Sequence, residues 1–376
     1  MTLSHTSNMN YGAMLQCFAL CSTIESLGFD PYVIDWKFRK RQTLSFDDIA
    51  CVSKVNYFYL CFRRFLGIKL KFILERIASC LGEKPFKIFS NLFIPYFPTK
   101  ITRKNISDLN NQLDAFIVGS DQVWRYSSCP DLNAFFLDFA DDAHRKISYA
   151  ASFGIDQWNE APEDVTKRVR ELIGRFDALS VRESSGLDIC HSVFGVQAQF
   201  VLDPTLLLSE TDYKPIYESE SDADLNDKDY VACMVLDARK SAGICDSLSK
   251  MIGIPAISIR GKDINLLTLT FIRYNSVARW LNYIRHARFV VTDSYHCGIF
   301  CILFKKNFAL LTNKKRGVSR MDSFLTLVGQ RNRLFQGLDD LLKSEIWHQE
   351  IDYIQVETKL NVVREKSREF LINAFN

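Results

Sequence analysis

Proline and glycine are scarce, at 9 and 16 of 376 residues, beside 29 phenylalanines. That balance excludes a disordered or collagen-like chain. The 11 cysteines form no CxxC pair, and no zinc-type spacing appears. The expectation is no metal site and reduced, mostly buried thiols in a cytoplasmic protein. Long apolar runs are missing too: none approaches the roughly 18 residues of a spanning helix. The stretch Met1 to Gln16 lacks the basic start and apolar core of a signal peptide. Net charge is only +3, which by itself points to no partner, nucleic acid included.

What is present is a soluble, globular composition, 47% apolar and 24% charged. The length favours two domains. Charge is unevenly spread. Residues 37–104 hold 15 Lys or Arg against 4 Asp or Glu, a net of +11, so the remainder carries −8. This stretch is also rich in Phe and Tyr and reads as a helical insertion at about 37–105, with helices from about Val55 to Leu81. One reading is a Phe-packed helix pair coated in lysine. The other is a docking face for a lipid-linked, phosphate-bearing acceptor or for the inner face of an anionic membrane.

Around that insertion the pattern is α/β. Thr2 to His5 reads as a short strand, Gly12 to Leu27 as a helix ended by Gly28, and Pro31 to Asp35 as the next strand. Further strands are expected at Asp114 to Gly119, Lys146 to Ala151, Ala178 to Val181 and Gln199 to Leu202. After an acidic stretch, Ser209 to Lys228, a second set follows at Tyr230 to Leu236, Pro255 to Ser258, Phe289 to Thr292 and Phe308 to Leu311. The tail from Tyr353 to Phe375 is an amphipathic helix, suited to bracing the first half. The expected fold class is α/β, with two Rossmann-like domains facing across a cleft. Their bounds are 1–208 and 209–345, with a tail at 346–376.

Three loops join a strand to a helix and carry polar groups at the helix N-terminus, where free N–H groups favour anions. They are Ser7 to Gly12, Gly119 to Arg125 and Thr292 to Gly298. His296 falls in a first turn and is either a structural histidine or an acid–base group. Asp121 suits a helix cap, a sugar hydroxyl or a base. Asn10 and Gly12 suit a tight turn or a ligand. Arg182 and Glu183 suit an internal ion pair. Arg316 and Arg320 suit solvated charges or a clamp on carboxylate and phosphate.

Six stretches in order resemble the polysaccharide pyruvyl transferase family. They are NYGAMLQCFAL (Asn10 to Leu20), DAFIVGSDQVW (Asp114 to Trp124), KISYAASFG (Lys146 to Gly154), ALSVRE (Ala178 to Glu183), VLDPTLLL (Val201 to Leu208) and FVVTDSYHCGIFCILFKKNF (Phe289 to Phe308). The resemblance implies a GT-B-like pair of domains. It also implies phosphoenolpyruvate as co-substrate, with no further cofactor, and a sugar of a surface polysaccharide or its lipid-linked precursor as acceptor. On this expectation His296 and Asp121 are catalytic. Ser294, Gly298, Arg316 and Arg320 bind the donor, and Asn10, Gly12, Ser120, Gln122 and Arg182 bind the acceptor. Better known members carry Arg-Leu-His where this chain has Ser294-Tyr295-His296. The donor's arginine then comes from elsewhere in the chain, or the donor differs. The alternative of the same architecture is a glycosyltransferase that uses a nucleotide sugar.

Overall fold

The computed structural model describes residues 9–36, 81–129, 131–226, 228–236, 238–266, 269–312 and 319–376. The expected first strand at Thr2 to His5, nearly all of the expected helices from Val55 to Leu81, and Arg316 lie outside the described residues. The fold is mixed α/β with parallel strands.

Helix α1 (Tyr11–Ser26) is capped by Asn10, whose Oδ1 accepts from the Ala13 N–H at 3.3 Å. It is buried on nearly every side, Met14, Gln16 and Cys17 as well as the expected Leu15, Ala19, Leu20 and Thr23. A helix that is apolar all round must be covered all round. One face joins a cluster with Phe300 and Leu310, and Leu20 and Ile24 join another with Ile147 and Val201. The run Pro31 to Asp35 does not become a strand; among the described residues only Val33 pairs, in parallel, with Tyr96. Helix α2 covers residues 81–93.

Strands β1 (Ala115–Val118) and β2 (Arg145–Ser148) pair in parallel. Helix α3 (Glu163–Ile173) leads to β3 (Ser180–Val181). Single parallel bridges, Ile147 to Ala178 and Ala151 to Val181, link β2 to the β3 segment. After α4 (Ser184–Ile189) and a π turn at Cys190–Phe194, β4 (Gln199–Phe200) pairs with β3 in parallel. Some strands stop short of their apolar runs: β2 ends before Tyr149 and β4 before Val201, although both residues are buried.

The second set begins with β5 (Val231–Met234), α5 (Ala238–Ile252) and β6 (Ala256–Ser258). An antiparallel hairpin of β7 (Gly261–Leu266) and β8 (Leu269–Tyr274) follows. It is absent from the sequence reading because no Gly, Pro, Asn or Asp marks its turn. Then come α6 (Val277–His286), β9 (Phe289–Thr292), α7 (Tyr295–Leu303), β10 (Asn307–Leu311), α8 (Ser319–Leu327), β11 (Leu334–Phe335), α9 (Leu338–Ser344) and α10 (Tyr353–Phe375). The sheet order is β11-β10-β9-β5-β6, parallel throughout. Its central strands are continuous apolar runs, as burial on both faces requires.

Helix α10 crosses back onto the first strand set. Phe370, Leu371 and Ala374 pack with Ile147, Tyr149 and Val201. Its polar groups dock as well: the Leu202 N–H donates to Ser367 Oγ at 3.0 Å, and Arg364 Nε and Arg368 Nη2 each donate to a carbonyl, of Leu206 and Leu207, at 2.7 Å. Among the described residues, no helix is long and apolar enough to cross a membrane.

Candidate active site

The loops after β1, β3, β4 and β9 meet, as expected at the carboxyl ends of parallel strands. After β1, Ser120 is buried and Asp121 has φ of 82°. A side-chain-bearing residue holds that left-handed backbone only where its surroundings impose it. Here the Asp121 carbonyl accepts from Val123 at 2.8 Å and Ser152 at 3.1 Å. Gln122 lies against Gly154, whose φ of 66° and lack of a Cβ leave the room; a Cβ there would come within 2.6 Å of Gln122 Cδ.

Arg182 follows β3, with no side-chain exposure. Its Nη1 donates to Asp203 Oδ2 at 2.5 Å and to Ser120 Oγ at 2.9 Å, and its Nη2 to Asp121 Oδ1 at 3.3 Å. Its Nε stands 3.9 Å from Glu183 Oε2. The expected Arg182–Glu183 pair exists, yet Asp203 is the closer partner. Glu183 Oε1 instead accepts from the Phe153 N–H at 2.9 Å. Asp203 follows β4. Its Oδ1 accepts from the Thr205 N–H at 3.1 Å and the Thr205 hydroxyl at 2.7 Å, and its Oδ2 accepts from Ser120 Oγ at 3.0 Å.

From the other strand set, Ser294 caps α7, accepting from the Cys297 N–H at 3.5 Å. That places His296 in the first turn, buried, with Nε2 3.4 Å from Asp203 Oδ2. On its other side stands Gly12: a Cβ there would come within 2.1 Å of His296 Nδ1. Arg182 and Arg320 both lie over the Tyr295 ring, at 5.0 and 5.5 Å from its centroid. With its amide oxygen turned to Arg320, Gln122 accepts from Nη1 and Nη2 at 3.2 and 3.0 Å.

Burial alone would push the Asp203 carboxyl up. The charge and hydrogen bonding of His296, then the Arg182 charge, outweigh it and hold the group well below the usual carboxylate range. Asp121 is lowered by the same contest, burial against Arg182, His296 and Arg320. Glu183 goes the other way: burial wins over the two arginines and raises it. Asp121 keeps 16% of its side-chain surface open, whereas Asp203 and Glu183 are closed off. Of the acids, Asp121 is therefore the one placed to meet a ligand from outside.

The structure thus brings together Gly12, Ser120, Asp121, Gln122, Arg182, His296 and Arg320. Arg320, read as a solvated charge or a clamp, is buried. Asn10 and Ser294 are helix caps at the edge of the group. Gly298 packs on β10, where a Cβ would press on Leu310 at 3.0 Å. Asp203 and Tyr295 were not singled out from the sequence, although both lie within matching stretches. An Asp-Pro after an apolar run signals only a turn. A surface cavity beside Gly329, Gln330 and Arg331 lies elsewhere, and its Arg333 already donates to Phe308 and Gln349 carbonyls.

Two guanidinium groups and an imidazole share the cluster with three carboxylates, and the one at its open edge, Asp121, suits proton transfer. A solved structure described as the S. aureus MnaA–UDP co-structure is similar over 95% of this chain and 94% of that one, at 12% identity and a TM-score of 0.48. No curated protein matches the chain. The family model for polysaccharide pyruvyl transferase matches residues 10–315, a span that holds Gly12, Asp121, Arg182, Asp203 and His296, and the chain belongs to that family.

Proposed function

We propose that the protein transfers the enolpyruvyl unit of phosphoenolpyruvate to two hydroxyls of a sugar, in a surface polysaccharide or its lipid-linked precursor, forming a ketal. The observation that carries this reading is the gathering of Arg182, Arg320 and His296 around Tyr295. Arg320 is an arginine of the kind that the Ser294-Tyr295-His296 stretch itself lacks, while Arg182 stays on the acceptor side, held by Asp121, Glu183 and Asp203. A donor with a carboxylate and a phosphate needs such cations in a site of low dielectric.

In this reading His296 gives a proton to the methylene carbon, C3, and C2 becomes oxocarbenium-like. A sugar hydroxyl adds to C2 while Asp121, at the open edge, takes its proton. Phosphate leaves with the electron pair of its bond to C2. The second hydroxyl then adds to C2 and closes the ring, and its proton returns to His296, which gave one to C3. Arg320, with Arg316 from outside the described residues, neutralises the donor. Ser294 and the N-terminus of α7 face its phosphate, and Asn10, Ser120 and Gln122 face the acceptor. We read residues 1–208 as the acceptor-side domain and 209–345 as the donor-side domain, with a GT-B-like cleft between them. The meeting of loops from both strand sets supports this.

A thermal-shift titration with phosphoenolpyruvate, beside pyruvate, phosphate and nucleotide sugars, tests the reading. A ligand at 100 times its Kd adds about 2.7 kcal/mol of stability. Stabilisation by phosphoenolpyruvate that His296→Ala loses is the expected result. Stabilisation by a nucleotide sugar alone overturns the donor assignment. Once an acceptor is in hand, His296→Ala should lower turnover at least ~100-fold.

A further inference from the structure

We propose that Asp203 is a positioning residue of this site, one carboxylate that fixes the His296 imidazole and the Arg182 guanidinium relative to each other. The proposal rests on reading His296 as the acid–base group, and it adds a residue that neither the family resemblance nor the loop pattern assigned.

The carboxylate has two ends with different tasks. Oδ1 is held by its own loop, through the N–H and the hydroxyl of Thr205 at 3.1 and 2.7 Å. That fixes the rotation of the group. Oδ2 then lies at a fixed point and collects Arg182 Nη1 at 2.5 Å, Ser120 Oγ at 3.0 Å and His296 Nε2 at 3.4 Å. His296 Nε2 is buried, and Asp203 Oδ2 is the carboxylate oxygen that faces it. At 3.4 Å it sits at ion-pair distance, and a small ring movement would complete the bond. Asp203 Oδ2 is therefore the acceptor for an Nε2 proton.

Gly12 limits the alternative. A Cβ on Gly12 would meet the Nδ1, Cγ and Cβ atoms of His296 at 2.1, 2.3 and 2.6 Å, so that side of the histidine lies against α1. The other charged groups of the cluster, Asp121, Glu183 and Arg320, surround Arg182 and Tyr295. With Nε2–H directed at Asp203, Nδ1 is the unprotonated nitrogen of the neutral ring. Removing the Asp203 charge frees the imidazole to take the other tautomer. It also loosens Arg182, which then keeps only Asp121 and Glu183 as carboxylate partners. This is the arrangement by which a buried carboxylate sets the orientation of a catalytic histidine.

The test is long-range proton–nitrogen NMR of the histidine rings of the whole protein, without any ligand. His296→Gln assigns the His296 signals among the six histidines. In the native protein a protected Nε2–H signal is expected for His296. Asp203→Asn should lose it or transfer the proton to Nδ1, while the other histidines keep their spectra. An absent Nε2–H signal in the native protein, or one unchanged in Asp203→Asn, overturns the proposal. If Asp203→Asn does not fold, Thr205→Val decides, since it removes the hydroxyl that orients Oδ1. A faster-exchanging His296 ring proton in that variant supports the proposal, and an unchanged one overturns it. The titration with phosphoenolpyruvate is separate. Binding with an unchanged ring signal sinks only the positioning role; a changed ring signal without binding sinks only the donor reading.

Discussion

Arg182 has no exposed side-chain surface, and three carboxylates share its charge. Such a pair gains little over apolar packing when made, yet breaking it leaves a buried charge and costs about 3–5 kcal/mol. Asp203→Asn should lose stability of that order at pH 7 by urea unfolding. The sign with pH follows from the lowered folded-state value of Asp203. Its contribution is complete above the unfolded value, about 3.9, and falls by ~1.4 kcal/mol per pH unit below it. The gap between Asp203→Asn and the native protein should therefore narrow between pH 4 and pH 2. A gap that stays constant would refute the linkage. Gly12→Ala has a different cause. The added methyl and the His296 ring need the same space. The variant should match His296→Ala in its response to phosphoenolpyruvate, and a native response would show that the ring can move aside. Loop position alone exposed Asp121, Arg182 and His296 to inspection. Asp203 stayed hidden because its partners, Ser120 and Arg182, come from other loops.

Helix α2 is a case where one face is left over. Phe86 and Phe89 go into the core, while Leu81, Ile88 and Leu92 are exposed at 44%, 53% and 67%. Spacings of seven and four place these three on one stripe. Lys84 and Lys87 are also exposed, Lys87 paired with Glu83 at 2.8 Å. An apolar stripe edged with lysine is what an interfacial helix presents to anionic lipid. We propose that α2 belongs to a membrane-docking face, one of the two readings open for residues 37–105. Vesicles containing phosphatidylserine should bind the protein, and Lys84→Glu with Lys87→Glu should weaken binding at least ~10-fold, at about 1 kcal/mol per basic residue. Equal binding to neutral vesicles would count against the electrostatic part. The uneven charge of this stretch was legible, because composition needs no fold. Which residues of 81–93 face outward was not, because that depends on what covers the helix.

The whole molecule is tied together by chain segments that leave their own neighbourhood. Helix α10 spans both strand sets: Val356 and Leu360 belong to the cluster around α7, while Phe370 and Leu371 belong to the one around Tyr149. Leu371 is fully buried. Leu371→Ala should cost 2–5 kcal/mol by transfer and cavity terms. It should lower the midpoint for both strand sets together in urea, read by fluorescence and by limited proteolysis. A drop confined to the tail would mean that α10 is an appendage.

Much was settled along the chain itself. The run Tyr353 to Phe375 is helical from end to end, as its periodicity required. The strands at Phe289–Thr292 and Asn307–Leu311 appear where continuous apolar runs demanded double-sided burial. Family membership also rests on the sequence, since six motifs in order survive whatever the loops do. Tertiary structure decided the rest. Pro31 to Asp35 became a single bridge at Val33, because pairing needs a partner and, among the described residues, Tyr96 is the one offered. Arg320 became a buried group because α8 carries it against Tyr295 and Gln122. The site exists only because residues from separate loops share one buried volume, where short distances and low dielectric give each charge its partner.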